Sequence, residues 1–418
     1  MFMGGLRGKE SILDQDAKAS SVRGMKSRFE AKLDQADVVR SRSTSPTFDE
    51  LLQRRVSRRG VLKTGAVAGA LAVTGPVLRV GIENTAQAAG APGAVESESY
   101  PVPMVGFSPI PPQPADAQQV HVAEGYGWAP LLKWGDPIHA TGPEFDPLNQ
   151  SAEKQRNQIG YNCDYIGWHP MGGDNTEPVR GLLWVNHEYT NGELMFIGYQ
   201  EGLPTKEQAD IEMEAHGGTI VEVESNHEGR LIVHTRSPYN RRLTATTPVQ
   251  LSGPAAGHDW MKTASDPWGQ TVIGMLNNCA GGRTPWNTVL TCEENFQGYF
   301  GGVSRMDDND PRKEVHERYG VEPEGSFYGW ENHYPRFNTA VEPNEPFRYG
   351  WVVEIDPFNP ESVPIKRTAL GRFRHEGATF GHSPSGRVVF YSGDDARFEY
   401  IYKYVSDNAY DPIKRGMG

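Results

Sequence analysis

The chain has 418 residues, enough for one large domain or two ordinary ones. Its 53 Asp and Glu outnumber its 41 Lys and Arg, and the formal charge of −12 argues against a nucleic-acid partner and suits a protein that binds cations. Its 3 cysteines exclude a disulfide framework, because they can form a single bridge at most.

The N-terminal segment carries the pattern of an export signal. The motif SRRGVLK runs from Ser57 to Lys63, the Ala- and Gly-rich run TGAVAGALAVTGPVL follows it, and small residues end the pattern at Ala88. This combination is typical of twin-arginine signal peptides. We therefore expect residues 1–88 to be a long leader that engages the twin-arginine export machinery, and the mature protein to be periplasmic or secreted. The apolar run is too short and Gly-rich to predict stable membrane insertion, and a chance basic stretch before a core helix is the alternative.

Residues 89–418 are predicted to form one all-β domain. Residues 89–160 are rich in Pro, Gly and Ala, whereas beyond them short apolar runs of strand length recur between Gly, Pro, Asn and Asp turns. These runs are GLLWVNHEY (181–189), GTIVEVE (218–224), RLIVHT (230–235), QTVIGML (270–276), NTVLTCEEN (287–295), YGWVVEID (349–356) and RVVFYSGDD (387–395). No pattern predicts a helix longer than a few turns, so a sandwich, a barrel and a propeller are the candidate architectures.

A weak internal repeat favours the β-propeller. LLWVNHE, TVLTCEE and VVFYSGDD each place apolar residues before a small or polar pair and then an acid, which is Glu188, Glu294 or Asp395. These acids are spaced about 100 residues apart, twice the roughly 40–50 residues of a propeller blade. Because the innermost strands of a propeller line a central channel, similar strand ends would place the three acids around one rim. A β-sandwich with three such hairpins is the alternative.

Possible metal ligands are concentrated at the predicted strand ends. Buried carboxylates are costly unless a cation or a hydrogen-bond network compensates them, and Glu, Asp and Asn oxygens suit Ca²⁺. A thiolate among carboxylates suits a transition metal such as iron, although Cys279 taken alone is more often a small buried apolar residue. From this pattern we assign Glu188, Asp394 and Asp395 as metal ligands. The full clusters are Asn186, His187 and Glu188; Glu293, Glu294 and Asn295; Arg374, His375 and Glu376; and Asp394 and Asp395. Each cluster taken alone is more often a turn than a metal site.

The sequence lacks several other catalytic patterns. It has no HExxH motif, no CxxC pair and no His-rich triad, so a zinc site has little support. It also has no GxSxG elbow and no phosphate-binding P-loop, which argues against the serine hydrolase and nucleotide-binding classes.

Three long motifs resemble the PhoX-type alkaline phosphatase family. They are NNCAGGRTPWNTVLTCEENFQGYFGG, YGWVVEIDPFNPESVPIKRTALGRFRHEGA and VVFYSGDDARFEYIYKYVS, and the resemblance covers roughly residues 100–410. What the resemblance implies is a six-bladed β-propeller with iron and calcium in its central channel. Such an enzyme hydrolyses small-molecule phosphomonoesters and is exported by the twin-arginine route.

The resemblance also implies roles for individual residues. Cys279 resembles the iron-binding cysteine of the NCAGG turn, and Glu376 in RHEGA resembles a metal-binding glutamate, which we also assign to catalysis. In CEEN, the resemblance implies that Glu293 and Glu294 face metal and that Asn295 faces the phosphate as a catalytic residue. Cations held by these acids would reverse the local field, so that a phosphate dianion can bind.

The chain departs from the family pattern at its C-terminal end. Family members continue beyond the YIYKYVS strand with an Asp-Arg-Pro-Glu run, which contributes a phosphate-binding arginine and a metal-binding glutamate and is missing before Gly418. We therefore expect an incomplete propeller, as a fragment, a truncated form or one part of a split pair, whose activity on its own is open. The alternatives to an alkaline phosphatase are a catalytically inactive propeller fragment and another calcium-dependent propeller hydrolase, either a lactonase or a phytase-like enzyme.

Overall fold

The computed structural model describes residues 108–172, 178–227 and 229–412. These residues divide between two compact units, one with residues 108–129 and the other with residues 130–412. Residues 108–129 consist of turns and irregular segments without a helix or a strand. The predicted twin-arginine motif, the cleavage site and the predicted domain start at Ala89 lie outside the described residues.

The unit formed by residues 130–412 is built mainly from β-strands, which confirms the all-β prediction. Its strands are β1 (Cys163–Pro170), β2 (Arg180–His187), β3 (Gly217–Ser225), β4 (Leu231–Val233), β5 (Arg241–Leu243), β6 (Pro248–Ser252), β7 (Thr271–Ile273), β8 (Asn278–Arg283), β9 (Val289–Glu293), β10 (Val352–Ile355), β11 (Ile365–Arg367), β12 (His375–His382), β13 (Arg387–Asp394) and β14 (Ile401–Ala409). Its α-helices are α1 (Ala152–Gln155), α2 (Gly192–Met195), α3 (Lys206–Ala215) and α4 (Pro311–Tyr319). None of the described helices is long and apolar enough to cross a bilayer.

The first sheet has the strand order β1-β2-β3-β4, with β5 added on β3, and all its pairings are antiparallel. Strand β2 is buried from Gly181 to His187 because both of its faces are covered. Successive side chains of a strand point to opposite faces. Trp184 therefore packs into the large core together with Met213 of α3, whereas Val185 packs into a smaller cluster on the other face.

The second sheet has the order β7-β6-β11-β10-β9-β8. Strands β8 to β11 pair antiparallel in chain order, which is the arrangement of a four-stranded propeller blade. The β6–β7 hairpin extends this blade because β6 pairs in parallel with β11. Strand β9 is fully buried, with Leu290 and Cys292 packed against Val352 and Phe390.

The third sheet consists of β12, β13 and β14 in antiparallel order. Strand β12 packs against β8 of the second sheet so closely that a Cβ atom on Gly282 would overlap the carbonyl oxygen of Ala378. The three repeated strand ends found in the sequence fall on three different sheets, because Glu188 follows β2, Glu294 follows β9 and Asp395 follows β13. The contact between β8 and β12 therefore brings the ends of the second and third sheets together.

Candidate metal centre

The first ligand group lies where β1 and β2 meet. Cys163 pairs with His187 across these antiparallel strands, and Glu188 is the residue that follows β2. Asp164 lies in the irregular part of the pairing, between Cys163 and Ile166. The backbone N–H of Glu188 donates to the carbonyl oxygen of Asn162 at 3.2 Å, which fixes the chain as it leaves β2. The side chains of Asp164 and Glu188 are hydrogen-bonded to each other. The carboxyls of Asp164 and Glu188 are thus direct neighbours at one edge of the first sheet.

Cys279 of β8 joins this first group to a second one. Potential ligand atoms of Asp164, Glu188 and Cys279 lie within 4.8 Å of one another, and these residues form the first group. Those of Cys279, Glu294 and Glu376 also lie within 4.8 Å of one another, and they form the second group. The Cys279 Sγ lies 3.8 Å from Oε1 of Glu376. One buried thiol is therefore common to both groups.

Asp395 adds a further carboxyl to the second group. Glu376 of β12 pairs with Gly393 of β13, and Asp395 follows the end of that strand. The Asp395 side chain is hydrogen-bonded to the carboxyl of Glu294. The structure thus brings Glu188, Glu294 and Asp395 to one place, as the repeated strand ends suggested.

Burial and neighbouring carboxyls hold the pKa values of Glu188, Glu294 and Glu376 above the ordinary range of a glutamate. Burial is the main cause that raises the pKa of Glu188 to about 8, followed by its hydrogen bond with Asp164 and the negative charge of Glu294. Burial, followed by the hydrogen bond from Asp395, likewise raises the pKa of Glu294 to about 8. Like charges at short distance disfavour the ionised form of both glutamates. Glu188 and Glu294 therefore ionise fully at neutral pH only when positive charge is supplied.

Among the described residues, no positively charged side chain forms an ion pair with the carboxylates of the two groups. Burial and then the charges of Glu294 and Glu188 also raise the pKa of the Cys279 thiol. A cation bound here would lower all of these pKa values, since metal ligands bind in their deprotonated form. The arrangement can therefore hold cations and, through them, an anionic substrate.

The structure separates Glu293 from the two groups, and this corrects the prediction that it is a metal ligand. Its Oε1 accepts hydrogen bonds from Lys366 Nζ at 2.8 Å and from the backbone N–H of Leu276 at 3.0 Å. Its Oε2 accepts from the backbone N–H groups of Gly350 and Trp351 at 3.1 and 3.2 Å. The carboxylate is on the core side of β9 because adjacent residues of a strand point to opposite sides. Lys366 already neutralises its charge.

Asp394 is also outside both groups, which corrects its assignment as a metal ligand. Its Oδ1 accepts a hydrogen bond from the backbone N–H of Arg374 at 3.3 Å. Burial, and then the charge of Glu399, raises the pKa of Asp394 to about 6. Its neighbour Asp395 points to Glu294 instead, so the register of β13 separates the two acids of the GDD turn.

Asn295 begins the turn directly after Glu294 and keeps one polar atom free. Its backbone N–H donates to Oδ1 of Asn277 at 2.6 Å, and its Oδ1 accepts from Gln297 Nε2 at 3.4 Å. Among the described residues, no group accepts a hydrogen bond from the side-chain Nδ2 of Asn295. An amide donor is therefore left available next to the second group.

The histidines of the predicted clusters have structural partners instead of facing the two groups. The Nε2 of His187 lies 2.7 Å from Thr219 Oγ1 and accepts from the backbone N–H of Gly160 at 3.2 Å. The Nδ1 of His375 lies 2.8 Å from Ser392 Oγ. All three cysteines are free, and Cys292 is buried in the apolar cluster of β9. The thiol of Cys279 is thus the only sulfur ligand in the groups found among the described residues.

Asp164 is the group member that the sequence did not reveal. It lies inside β1 instead of at a strand end, and the pattern of apolar runs followed by acids does not include it. The available signal was weak, since a single acid next to a cysteine is unremarkable in a sequence. Its place in the first group depends on the register of β1 against β2, which the sequence does not state.

Two comparisons with known proteins identify relatives of the chain. The family model described as Alkaline phosphatase PhoX matches residues 105–417. Among solved structures, PhoX of Pseudomonas fluorescens in complex with vanadate, a transition state analogue, matches with 40% sequence identity and a TM-score of 0.68. The match covers 73% of this chain and 51% of that chain, so this chain spans about half the length of the relative. No curated protein matches the chain. The likeness to this relative confirms the β-propeller class.

Proposed function

Because the chain belongs to the PhoX alkaline phosphatase family, we propose that it hydrolyses phosphomonoesters and releases inorganic phosphate. The observation that carries the proposal is the convergence of Cys279 with carboxyls from three sheets, at a place where no described ion pair neutralises them. A phosphomonoester is a dianion, which such a set of acids would repel by itself. The same set becomes an anion-binding site when it holds cations.

Calcium and iron are the cofactors that the donor set fits. Carboxylate oxygens of Asp164, Glu188 and Glu294 suit Ca²⁺, which takes oxygen ligands almost exclusively. The Cys279 thiol shared by both groups suits iron, because thiolate is a softer ligand that calcium does not require. When bound, these cations supply positive charge to the phosphate oxygens and activate an oxygen nucleophile. Glu376 and Asp395 complete the ligand set that we propose.

The chain's own residues then bind and orient the substrate. The free Nδ2 of Asn295 is a donor that suits a phosphate oxygen, and its backbone is held by Asn277 at 2.6 Å. Glu376 is the exposed carboxyl of the second group, so it is the member nearest to the solvent from which substrate arrives. We therefore keep Asn295 and Glu376 as the proposed catalytic residues, with Glu376 also holding metal.

The export route is proposed from the sequence. The twin-arginine motif between Ser57 and Lys63 supports transport by the twin-arginine machinery to the periplasm or the medium. This route carries folded proteins, which suits a protein whose ligands come from three sheets. The substrates expected there are small-molecule phosphomonoesters.

The test of this function is the release of nitrophenol from nitrophenyl phosphate by the purified chain, with Ca²⁺ and iron added or with a chelator. We expect turnover that the chelator abolishes and that Ca²⁺ and iron added together restore. Activity that survives complete metal removal would refute the metal-dependent mechanism. Metal-stabilised folding without turnover of any ester would instead favour a catalytically inactive propeller.

Cys279→Ala tests the iron assignment, and Cys163→Ala is its control. We expect Cys279→Ala to remove bound iron, measured by elemental analysis, because it deletes the thiol shared by both groups. Cys163→Ala removes the exposed thiol and should retain the iron content of the wild type. Equal iron in the two variants would show that Cys279 is not a ligand.

A further inference from the structure

Asn186 is a fully buried residue two positions before Glu188, and its side chain does not face the candidate metal centre. It is 0% exposed. It belongs to β2, next to the point where the first sheet meets β8 of the second. Because an unpaired amide in the core is costly, the partners of this side chain show what it holds in place.

All four hydrogen-bonding positions of the Asn186 amide are used. Its Nδ2 donates to the carbonyl oxygen of Cys279 and, at 3.2 Å, to that of Ala280. Its Oδ1 accepts from Thr291 Oγ1 at 2.8 Å and from Trp184 Nε1 at 2.6 Å. These partners lie on β8, which carries Cys279, and on β9 and β2, which end one residue before Glu294 and Glu188.

From this network we infer that Asn186 is a positioning residue, which fixes the backbone of Cys279 and thereby the direction of its thiol toward Glu188 and Glu376. The hydrogen-bond partners of its amide all lie on β2, β8 and β9, so it acts on the centre through the backbone of Cys279. The β8–β9 register is irregular between Asn278 and Gly281, so the ladder itself does not hold Cys279 in regular pairing. The Asn186 amide supplies the missing hydrogen bonds at this irregularity.

Thr291 completes the positioning network. Its hydroxyl donates to Asn186 Oδ1 and accepts from Asn278 Nδ2 at 2.9 Å, so it links the amide to the residue before Cys279. Thr291→Val keeps the shape and loses both bonds, whereas Thr291→Ser keeps the hydroxyl. The two variants therefore separate loss of the hydrogen bonds from loss of packing.

The first test uses the metal-free chain and does not depend on the proposed function. Iodoacetamide labels each cysteine at a rate that mass spectrometry follows by peptide. Asn186→Asp keeps the shape but replaces both Nδ2 donors by an acceptor that faces the carbonyl oxygen of Cys279. We expect Cys279 to be labelled at least about tenfold faster in this variant, as its backbone is released, while buried Cys292 keeps its slow rate. Equal Cys279 rates in variant and wild type would overturn the inference.

Asn240→Asp is a matched control for the loss of stability. Asn240 is also buried, and its Nδ2 donates to the carbonyl oxygens of Ile138 and His234 at 2.8 and 2.9 Å. Its Oδ1 accepts from the backbone N–H of Glu222 at 2.9 Å. Asn240→Asp removes the same kind of amide-to-carbonyl hydrogen bonds, but at a place that does not hold Cys279. It should therefore lower the unfolding midpoint and leave the labelling rate of Cys279 unchanged. Faster labelling in both variants would show a merely structural role.

The second test measures Co²⁺ binding, and this consequence rests on the proposed function. A thiolate–cobalt absorption band that Cys279→Ala abolishes reports the metal bond. Substitution of residues that orient ligands typically weakens metal affinity by roughly 10–100-fold. We expect that loss in Asn186→Asp and Thr291→Val, with Thr291→Ser and Asn240→Asp near the wild type. If the wild type shows no thiolate–cobalt band, but Asn186→Asp still speeds the labelling of Cys279, the metal proposal is refuted and the positioning role is not. Wild-type affinity in Asn186→Asp would refute the positioning role.

Discussion

Glu293 and Glu294 are neighbours in the chain, yet their carboxyls lie in opposite environments. Glu293 and Lys366 form an ion pair in which both side chains are 0% exposed. Burial raises the pKa of Glu293 and lowers that of Lys366 to about 8, while the attraction between the two charges opposes both shifts. Glu294 faces the candidate metal centre. The core-facing ion pair thus holds β9 in the register that presents Glu294.

Lys366→Met should strongly destabilise the protein. The substitution keeps the volume of the side chain but leaves the Glu293 carboxylate buried without its counter-charge. Breaking one partner of a buried pair costs about 3–5 kcal/mol of unfolding free energy. Urea unfolding followed by circular dichroism measures the loss.

Lys262→Met is the matched control for that experiment. Lys262 pairs with Asp259 at 2.7 Å, but their side chains are 41% and 86% exposed. Water screens such a pair, so its loss should leave the unfolding midpoint almost unchanged. Similar destabilisation in the two lysine variants would contradict the special role of the buried pair.

At the scale of elements, the contact between β8 and β12 positions Cys279 beside Glu376. Gly282→Ala should push these strands apart, because the added Cβ would overlap the carbonyl oxygen of Ala378. We expect a loss of about 1–3 kcal/mol, typical of overpacking, together with weaker Ca²⁺ binding. Thermal unfolding and calorimetric titration with Ca²⁺ measure the two effects.

Gly298→Ala provides the control for overpacking. A Cβ atom at Gly298 would have no heavy atom within 4 Å, and the residue lies in the turn that follows β9. The substitution should therefore leave both stability and Ca²⁺ affinity near the wild-type values. If Gly282→Ala behaves in the same way, the two strands are not held as closely as described.

Most strands could be predicted from the sequence, because short β-branched runs between turns are a local signal. All seven runs that we named contain strands, among them the runs at 181–189, 287–295 and 387–395 that became β2, β9 and β13. Helix α3 was not predicted, although Thr205 and Gln208 form a capping box at its start. Strand β12 also lacks a continuous apolar run.

The candidate site was only partly predictable for a reason of register. The sequence identified acids at strand ends but could not say which of two adjacent acids faces the core. The main partner that marks Glu293 as the core-facing acid is Lys366, which lies 73 residues further along the chain. Asp164 required the pairing of β1 with β2. Non-local pairing therefore decided both the position of Glu293 outside the two groups and the place of Asp164 inside them.

At the scale of the whole molecule, the two groups couple global stability to pH. In the metal-free protein, the pKa values of Glu188 and Glu294 are raised from 4.5 to about 8. Between these values the folded state binds protons that the unfolded state has lost, so the free energy of unfolding falls as pH rises. Buried His216 and His316, with pKa values lowered to about 4, give the opposite slope below their ordinary value of 6.5.

We therefore expect the chelated protein to lose thermal stability from pH 6.5 to pH 8, and Ca²⁺ to restore it. Scanning calorimetry at several pH values with chelator or with Ca²⁺ measures this dependence. Replacing both Glu188 and Glu294 by Gln should flatten the slope in chelator. A chelated wild type that becomes more stable over the same interval would contradict the raised pKa values.

The shared thiol has a consequence for the order of assembly. Cys279 meets one set of acids from the first sheet and another from the second and third sheets. Among the described residues, each group takes its ligands from more than one sheet, so we expect a cation to bind firmly only after the sheets have docked. A tightly bound ion would then slow any separation of those sheets, and the occupied centre would act as a lock on tertiary structure.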